Sequence, residues 1–313
     1  MIAYGPVPSR RLGRSLGINN IPPKACSYAC VYCQVGHTLD RRVERREFYT
    51  PEKLLRQVEL RLETVARQGE HIDYLSFVPD GEPTLDVNLG NEIEQLGKFG
   101  LPVAVITNSS LLDIRETREE LAGADWVSLK VDSVDEAIWR SLNRPHPALN
   151  FSGILKGMME FREMFTGTLV TETMLVADLN DGPEQATATA DFLTALSPDR
   201  AYLSVPTRPP RSTRVRIPDA EAIVRCHDIF AERAKNVEYL IGYEGSDFSA
   251  AGTPRENLLG ITAVHPMRED AVRELLRKTE APWSLVEELI SDGSLCVTEY
   301  AAHRYYLRRP RRH

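Results

Sequence analysis

Two spacings of apolar residues alternate along this chain. Short contiguous apolar runs, rich in β-branched residues, are separated by longer stretches where apolar positions recur every three or four residues. The first spacing predicts strands buried on both faces and the second predicts amphipathic helices. SLGI (15–18) precedes a cysteine-bearing loop and a helix from about Pro51, whose Leu54, Leu55, Val58, Leu62 and Val65 form one stripe. Thr50 followed by Pro51 supplies its cap and first-turn proline. YLSFVP (74–79) leads to a helix over 87–99, and VAVITN (103–108) to one that ends near Gly123. WVSLKVD (126–132) leads to a helix opened by a Ser133 to Glu136 capping box. LVTETMLV (169–176) leads to a helix over 183–196, and AYLSVP (201–206) to a long one over 218–240.

Six strand-then-helix units imply a parallel α/β fold. They are too few for a closed eightfold barrel and suit a partial (β/α)6 TIM-like barrel over residues 1–241. In such folds chemistry collects at the carboxyl ends of the strands, which here are polar or glycine-rich. Residues 242–253 (GYEGSDFSAAGT) read as a linker. Over 254–313, a helix around 268–278, a second to Ile290 and a hairpin of LCVTEY and RYYLRR outline a small winged-helix-like α+β module.

Composition narrows the class. The chain has 313 residues, is 42% hydrophobic and carries a net charge of −7, as a globular protein would. No apolar run reaches the roughly 18 residues of a membrane span, and the start lacks a secretory pattern. Five cysteines, three of them crowded, argue against a disulfide framework and for a reducing, cytoplasmic setting. Within the acidic total, arginines cluster at 10, 11 and 14, at 208–216 and at 308–312.

The crowded cysteines carry the chemistry. Cys26, Cys30 and Cys33 are separated by gaps of three and two residues. A closed structural zinc site needs a fourth ligand. Cys226 and Cys296 stand in core-like settings, and His37 has no ligand pattern around it. Three thiolates suit a 4Fe-4S cluster with one iron left open to a small molecule.

The triplet, with Tyr32 before its last cysteine, resembles the signature of the radical S-adenosylmethionine (SAM) superfamily. That resemblance implies a 4Fe-4S cluster whose open iron is chelated by the amino and carboxylate groups of S-adenosyl-L-methionine. It further implies reductive cleavage to a 5′-deoxyadenosyl radical, which abstracts hydrogen from a substrate. Gly81-Glu82-Pro83 resembles the family's Gly-Gly-Glu-Pro element, with Asp80 in place of the first glycine; Glu82 would meet the methionine ammonium. By the same resemblance Tyr32, Asn108, Ser109, Ser128, Lys130, Asp132 and Glu172 are cofactor contacts, with Met174 beside them. The whole chain resembles a subgroup labelled iron–sulfur oxidoreductases or wyosine-synthase-like proteins. Unlike the tRNA-modifying wyosine enzymes, it has no cysteine before Cys26.

The partners implied are an external flavodoxin- or ferredoxin-like electron donor and a small-molecule, nucleotide or tRNA substrate. Activation of a protein is a further alternative. Arg208 and Arg211, after the sixth strand, predict an anionic substrate held at the barrel mouth. Glu287 and Glu288, in the segment where a winged helix would read bases, argue against duplex DNA and against a non-enzymatic iron–sulfur regulator.

Overall fold

The structure, a computed structural model, describes residues 1–241 and 253–308. Residues 242–252 of the expected linker, and Arg309, Arg311 and Arg312 of the basic tail, lie outside the described residues.

Elements are numbered in chain order. β1 (Ala3–Ser9) and β2 (Gly13–Ile18) precede the cysteine loop, which carries the two-residue strands β3 (Ala25–Cys26) and β4 (Asp40–Arg41). Then follow α1 (Pro51–Arg67), β5 (Tyr74–Phe77), α2 (Leu89–Gly97), β6 (Val103–Thr107), α3 (Arg115–Leu121) and β7 (Trp126–Lys130). α4 (Glu136–Asn143), α5 (Phe151–Met164), β8 (Thr168–Met174), α6 (Pro183–Leu196), β9 (Arg200–Ser204), α7 (Ala220–Ala231) and β10 (Val237–Leu240) complete the large unit. Its sheet has the order β1-β2-β5-β6-β7-β8-β9-β10. β2 and the six strands after it run parallel, and β1 is an antiparallel edge. This is a partial TIM-like barrel of six βα units, left open between its first and last strands.

Alternation along the strands splits the core. Val103, Val105, Val127 and Leu129 pack outward against the helices. Ala104 and Trp126, between them in sequence, join Leu12, Val170, Tyr202 and Leu240 in an inner layer. Thr50 caps α1 as its sequence predicts, its hydroxyl accepting from Lys53 N at 3.4 Å.

The structure corrects several sequence expectations. The long sixth helix stops at Ala231; Asn236 turns in the left-handed region (φ 52°) and Val237–Leu240 joins the sheet as β10. β1 escapes the sequence pattern because Pro6 and Pro8 interrupt it, which only an edge strand tolerates. α5 is an additional helix, capped by Asn150. α4 is capped by Asp135, which accepts from Ile138 N at 2.9 Å, and not by Ser133.

Beyond the large unit lie α8 (Pro254–Val264), β11 (Met267–Arg268), α9 (Glu269–Lys278), α10 (Ser284–Ser291) and the hairpin β12 (Leu295–Tyr300) and β13 (His303–Arg308). α8 and β11 add to the helix–helix–hairpin outline, and β13 lies between β11 and β12. Leu258, Ile261, Val272, Leu275, Leu289 and Tyr306 build a separate small core. The module rests on the barrel: α8 packs on β1, and Arg61 of α1 donates to Asn257 Oδ1 at 3.1 Å. No helix among the described residues is long and apolar enough to cross a membrane.

One buried acid sets a measurable property of the barrel. Glu92 on the inward face of α2 is fully buried, and burial, with Asp86 nearby, pushes its carboxyl up to about 9. The folded chain thus holds a proton that the unfolded chain releases. Stability is expected to fall as pH rises from about 5 to about 9, with Glu92→Gln flattening that slope; urea midpoints across the range measure it.

Candidate cofactor and substrate site

At the carboxyl ends of the strands a cavity of about 310 Å³ is lined by Cys26, Cys30 and Cys33, all free and half-buried. The loop that carries them is fastened by groups other than the thiols. Lys24 N donates to Asp80 O at 2.7 Å, and the Lys24 ammonium pairs with the Asp80 carboxylate at 2.7 Å, both side chains nearly buried. The same ammonium donates to Val35 O, beyond the last cysteine. Ala29 N donates to Asn143 O at 2.9 Å, and His146 N to Ser27 O at 2.8 Å. Arg211 closes the far side, donating through Nη1 to Ala29 O at 2.6 Å and through Nε to His37 Nδ1 at 2.9 Å.

The thiols fit a metal–sulfur group. Burial, followed by proximity to Cys33, pushes Cys30 up to about 12; burial and Cys30 push Cys26 well above its ordinary value. Burial there favours the neutral thiol, and a cation bound to the sulfurs would offset that cost. Among the described residues no three His, Cys, Asp or Glu side chains gather around a single ion. The three thiols line one cavity, and a cluster held by one cysteine per iron does not require them on a single metal. Asn108 Nδ2 and Asn143 Nδ2 lie 3.5 Å from the sulfurs of Cys26 and Cys30, as donors to thiolate. Cys226 is buried in the barrel core, and Cys296 lies on β12 with its thiol donating to Leu307 O.

Gly81 and Glu82 part company. Gly81 lines the cavity, and the carbonyl of Ala25 sits where its side chain would be: a Cβ there would fall 1.9 Å from that oxygen. Glu82 is fully buried and is not among the lining groups. Its Oε1 accepts from Thr84 N (3.1 Å), Thr84 Oγ1 (2.6 Å) and Thr107 Oγ1 (2.6 Å), and its Oε2 from Asn108 N (2.7 Å). Burial raises its carboxyl, against the pull of those donors. The carboxylate thus ties the end of β5 to the end of β6, in place of facing the cavity. Pro83 is buried in the single 3₁₀ turn that Glu82 caps.

The remaining strand ends form two polar networks. Lys130 donates to Glu172 Oε1 at 2.9 Å, where Ser204 Oγ also donates at 2.9 Å, while Arg11 Nη1 holds Glu172 Oε2 at 2.6 Å. Burial disfavours the Glu172 charge, but Lys130 and Arg11 outweigh it and hold the carboxyl well below its ordinary range. Lys130 Nζ also stands 5.2 Å from the Tyr32 ring centre. The second network joins Tyr32 to Asp132 by a hydrogen bond, with Asn143 Nδ2 donating to both at 2.9 and 2.7 Å. Met174 N donates to the other Asp132 oxygen at 2.9 Å.

The structure therefore brings Tyr32, Gly81, Asn108, Lys130, Glu172 and Met174 to the cysteines' cavity. Ser109, Ser128 and Asp132 are buried outside its lining, Ser109 accepting from Lys130 N at 2.9 Å. Arg208 lines the cavity; Arg211 instead braces the cysteine loop, so the predicted pair does not form a clamp. Sequence reading missed Asn143, 113 residues from the thiol it approaches, and the lining residues Arg10 and Arg11. The early arginine cluster was the available signal for the last two.

The parallel half-open sheet, with a three-cysteine loop over its strand ends, defines a radical SAM protein. The model of the radical SAM superfamily matches residues 20–193, more than half of the sequence, and the chain belongs to that superfamily. It is an enzyme of a class whose cofactors are a 4Fe-4S cluster and S-adenosylmethionine. More particularly, it is similar to the UPF0026 protein MJ1312 of Methanocaldococcus jannaschii, 47% identical over 98% of this chain and 96% of that protein. Among solved structures it is similar to TYW1 with a lysine-pyruvate adduct bound: TM-score 0.55 and 15% identity over 71% of this chain and 74% of that one. SuiB of Streptococcus suis bound to S-adenosylmethionine gives TM-score 0.53 and 16% identity over 72% and 50%. At these identities the structures share a fold with this chain.

Proposed function

We propose that Cys26, Cys30 and Cys33 hold one 4Fe-4S cluster and that the cavity beside it binds S-adenosylmethionine and a small anionic substrate, from which hydrogen is abstracted. When bound and reduced, the cluster supplies the electron that cleaves the sulfonium to methionine and a 5′-deoxyadenosyl radical. The single observation that carries this reading is that all three thiols line one cavity with Gly81, Asn108, Lys130 and Glu172.

The chain's own residues divide the work. Asn108 and Asn143 steady the thiolates. Lys130 and Glu172 offer a fixed ammonium and carboxylate to the cofactor's polar groups. Val78, Ile106, Met174 and Val205 belong to the apolar part of the wall and would limit water at the reacting groups. Electrons come from an external flavodoxin- or ferredoxin-like donor.

Anaerobic reconstitution tests this reading. About four iron and four sulfide per chain are expected, falling to background in Cys30→Ala along with 5′-deoxyadenosine formation. A cluster that survives in Cys30→Ala, or twice that iron, refutes the ligand set. Incubation with deuterated candidates, small phosphorylated compounds in one series and tRNA in another, identifies the substrate by the label reaching 5′-deoxyadenosine.

A further inference from the structure

The cysteine loop has two sides, and only one of them faces the cavity. Cys26, Cys30, Cys33, Gln34 and Val35 line the cavity, whereas Ala29, His37, Leu39 and Arg41 do not. Residues 37–41 fold back beside the segment that precedes Cys30. Thr38 Oγ1 donates to Tyr28 O at 2.9 Å, and Leu39 N donates to Lys24 O at 3.1 Å.

Cationic side chains converge on Ala29. Arg144 O accepts from Ala29 N at 3.2 Å and from Arg41 Nη1 at 3.4 Å. Ala29 O accepts from Arg211 Nη1 at 2.6 Å, and Arg211 Nε donates to His37 Nδ1 at 2.9 Å. The guanidinium groups of Arg41 and Arg211 thus flank the residue next to Cys30, and Arg211 N also donates to Cys33 O at 2.9 Å. Arg144 is exposed at the end of α4.

This positive charge is not neutralised locally. Arg41 and Arg211 bond to carbonyls and a ring nitrogen, and among the described residues neither they nor Arg144 pairs with a carboxylate. The acid next to Arg41 in sequence, Asp40, is engaged by Arg42. Leu39 stands within the group at 68% exposure, more than any other large apolar side chain among the described residues. An apolar contact rimmed by unneutralised arginines, on a chain whose net charge is −7, suits a protein partner with an acidic surface. Nucleic acid fits less well: the group includes no exposed aromatic on which a base could stack, and it does not open into the cavity.

We propose that Leu39, Arg41 and Arg144 form the docking surface of the electron donor, an acidic one-electron redox protein, and that Arg211 keeps that surface in shape. The proposal rests on the cluster reading above and names where the donor meets it. One electron leaves the partner's redox centre, which is oxidised, and the cluster is reduced by one; no bond or proton is exchanged. Approach from this side leaves the cavity free for S-adenosylmethionine and substrate. Interfaces of this kind are small, brief and sensitive to salt.

The reconstituted full chain, saturated with S-adenosylmethionine, is driven either by a reduced flavodoxin of strongly negative net charge or by dithionite, and 5′-deoxyadenosine is followed. With flavodoxin at low salt, the double variant Arg41→Glu, Arg144→Glu is expected to start about tenfold more slowly, and Leu39→Ser several-fold more slowly. Raising the salt from about 0.05 to about 0.5 M should slow the unaltered chain and narrow the gap. With dithionite all variants should match the unaltered chain, at equal iron content. Equal flavodoxin-driven rates in the variants, or rates that ignore salt, overturn the surface. A loss that appears equally with dithionite also overturns it, and makes these residues supports of the cysteine loop. Binding of tRNA that disappears in the double variant while flavodoxin-driven rates hold overturns it in favour of nucleic acid. An unaltered chain that forms no 5′-deoxyadenosine with dithionite refutes the enzyme reading itself, and the docking surface with it.

Discussion

Replacing Gly81 with alanine is expected to empty the cysteine loop of iron while leaving the barrel folded. The added methyl would fall 1.9 Å from Ala25 O and 2.7 Å from Ile21 Cδ1. A side-chain tip can swing aside; the carbonyl cannot, because it also accepts from Glu82 N at 3.1 Å. Relief must come from moving the backbone next to Cys26. Such overpacking costs about 1 to 3 kcal/mol, less than a domain of this size needs to unfold, yet the displacement falls on Cys26, one of the three proposed cluster ligands. Iron and sulfide content in the variant should approach that of Cys30→Ala, with far-ultraviolet circular dichroism retained. Wild-type iron content would show that the loop has slack that the packing denies.

Glu82→Ala is expected to destabilise the apo-protein outright. Four donors converge on the carboxylate. The hydroxyls of Thr84 and Thr107 can rotate to other acceptors, but the backbone N–H groups of Thr84 and Asn108 are fixed and would be left buried and unpaired. At about 1 to 3 kcal/mol for each, the loss is on the order of 2 to 6 kcal/mol. Urea unfolding of the iron-free chain measures it, and Glu82→Gln should recover part of it, since an amide oxygen can still accept from the threonines. Cofactor affinity should fall as well, because Asn108 loses its tether. A carboxylate whose task were to meet the methionine ammonium directly would give the opposite split, with normal apo stability and lost cofactor binding.

The meeting of Gly81 and the three cysteines at one cavity was legible in the sequence because their short spacings fall at strand ends. The six βα units were legible because strands buried on both faces read as unbroken apolar runs. Other features left no such trace. β10 follows α7 without a glycine or proline between them, so the helical pattern runs on past Ala231, and only Asn236 marks the turn. β1 contains prolines that forbid a central strand and only an edge position accommodates them. Asn143 reaches Cys30 because α4 ends beside the cysteine loop, a juxtaposition that no spacing encodes. Glu82 matched a sequence element, yet its role depends on Thr107 and Asn108, which only the pairing of β5 with β6 brings near. Arg211 was grouped with Arg208 by proximity in sequence, and the turn through Pro209 and Pro210 sends the two in different directions.

The fastening of the cysteine loop has a consequence for the order of events in the cell. Small metal-bound domains spend the binding energy of the ion on folding and are unstructured without it. Here Lys24 is paired with Asp80 and bonded to Val35, Arg211 bridges to Ala29, and Asn143 accepts from Ala29, none of them through a thiol. Synthesis and folding can therefore run to completion first, and delivery of iron and sulfide becomes a late maturation step on a finished scaffold. Oxidative loss of the cluster would, by the same token, leave a protein that can be refilled and need not be replaced.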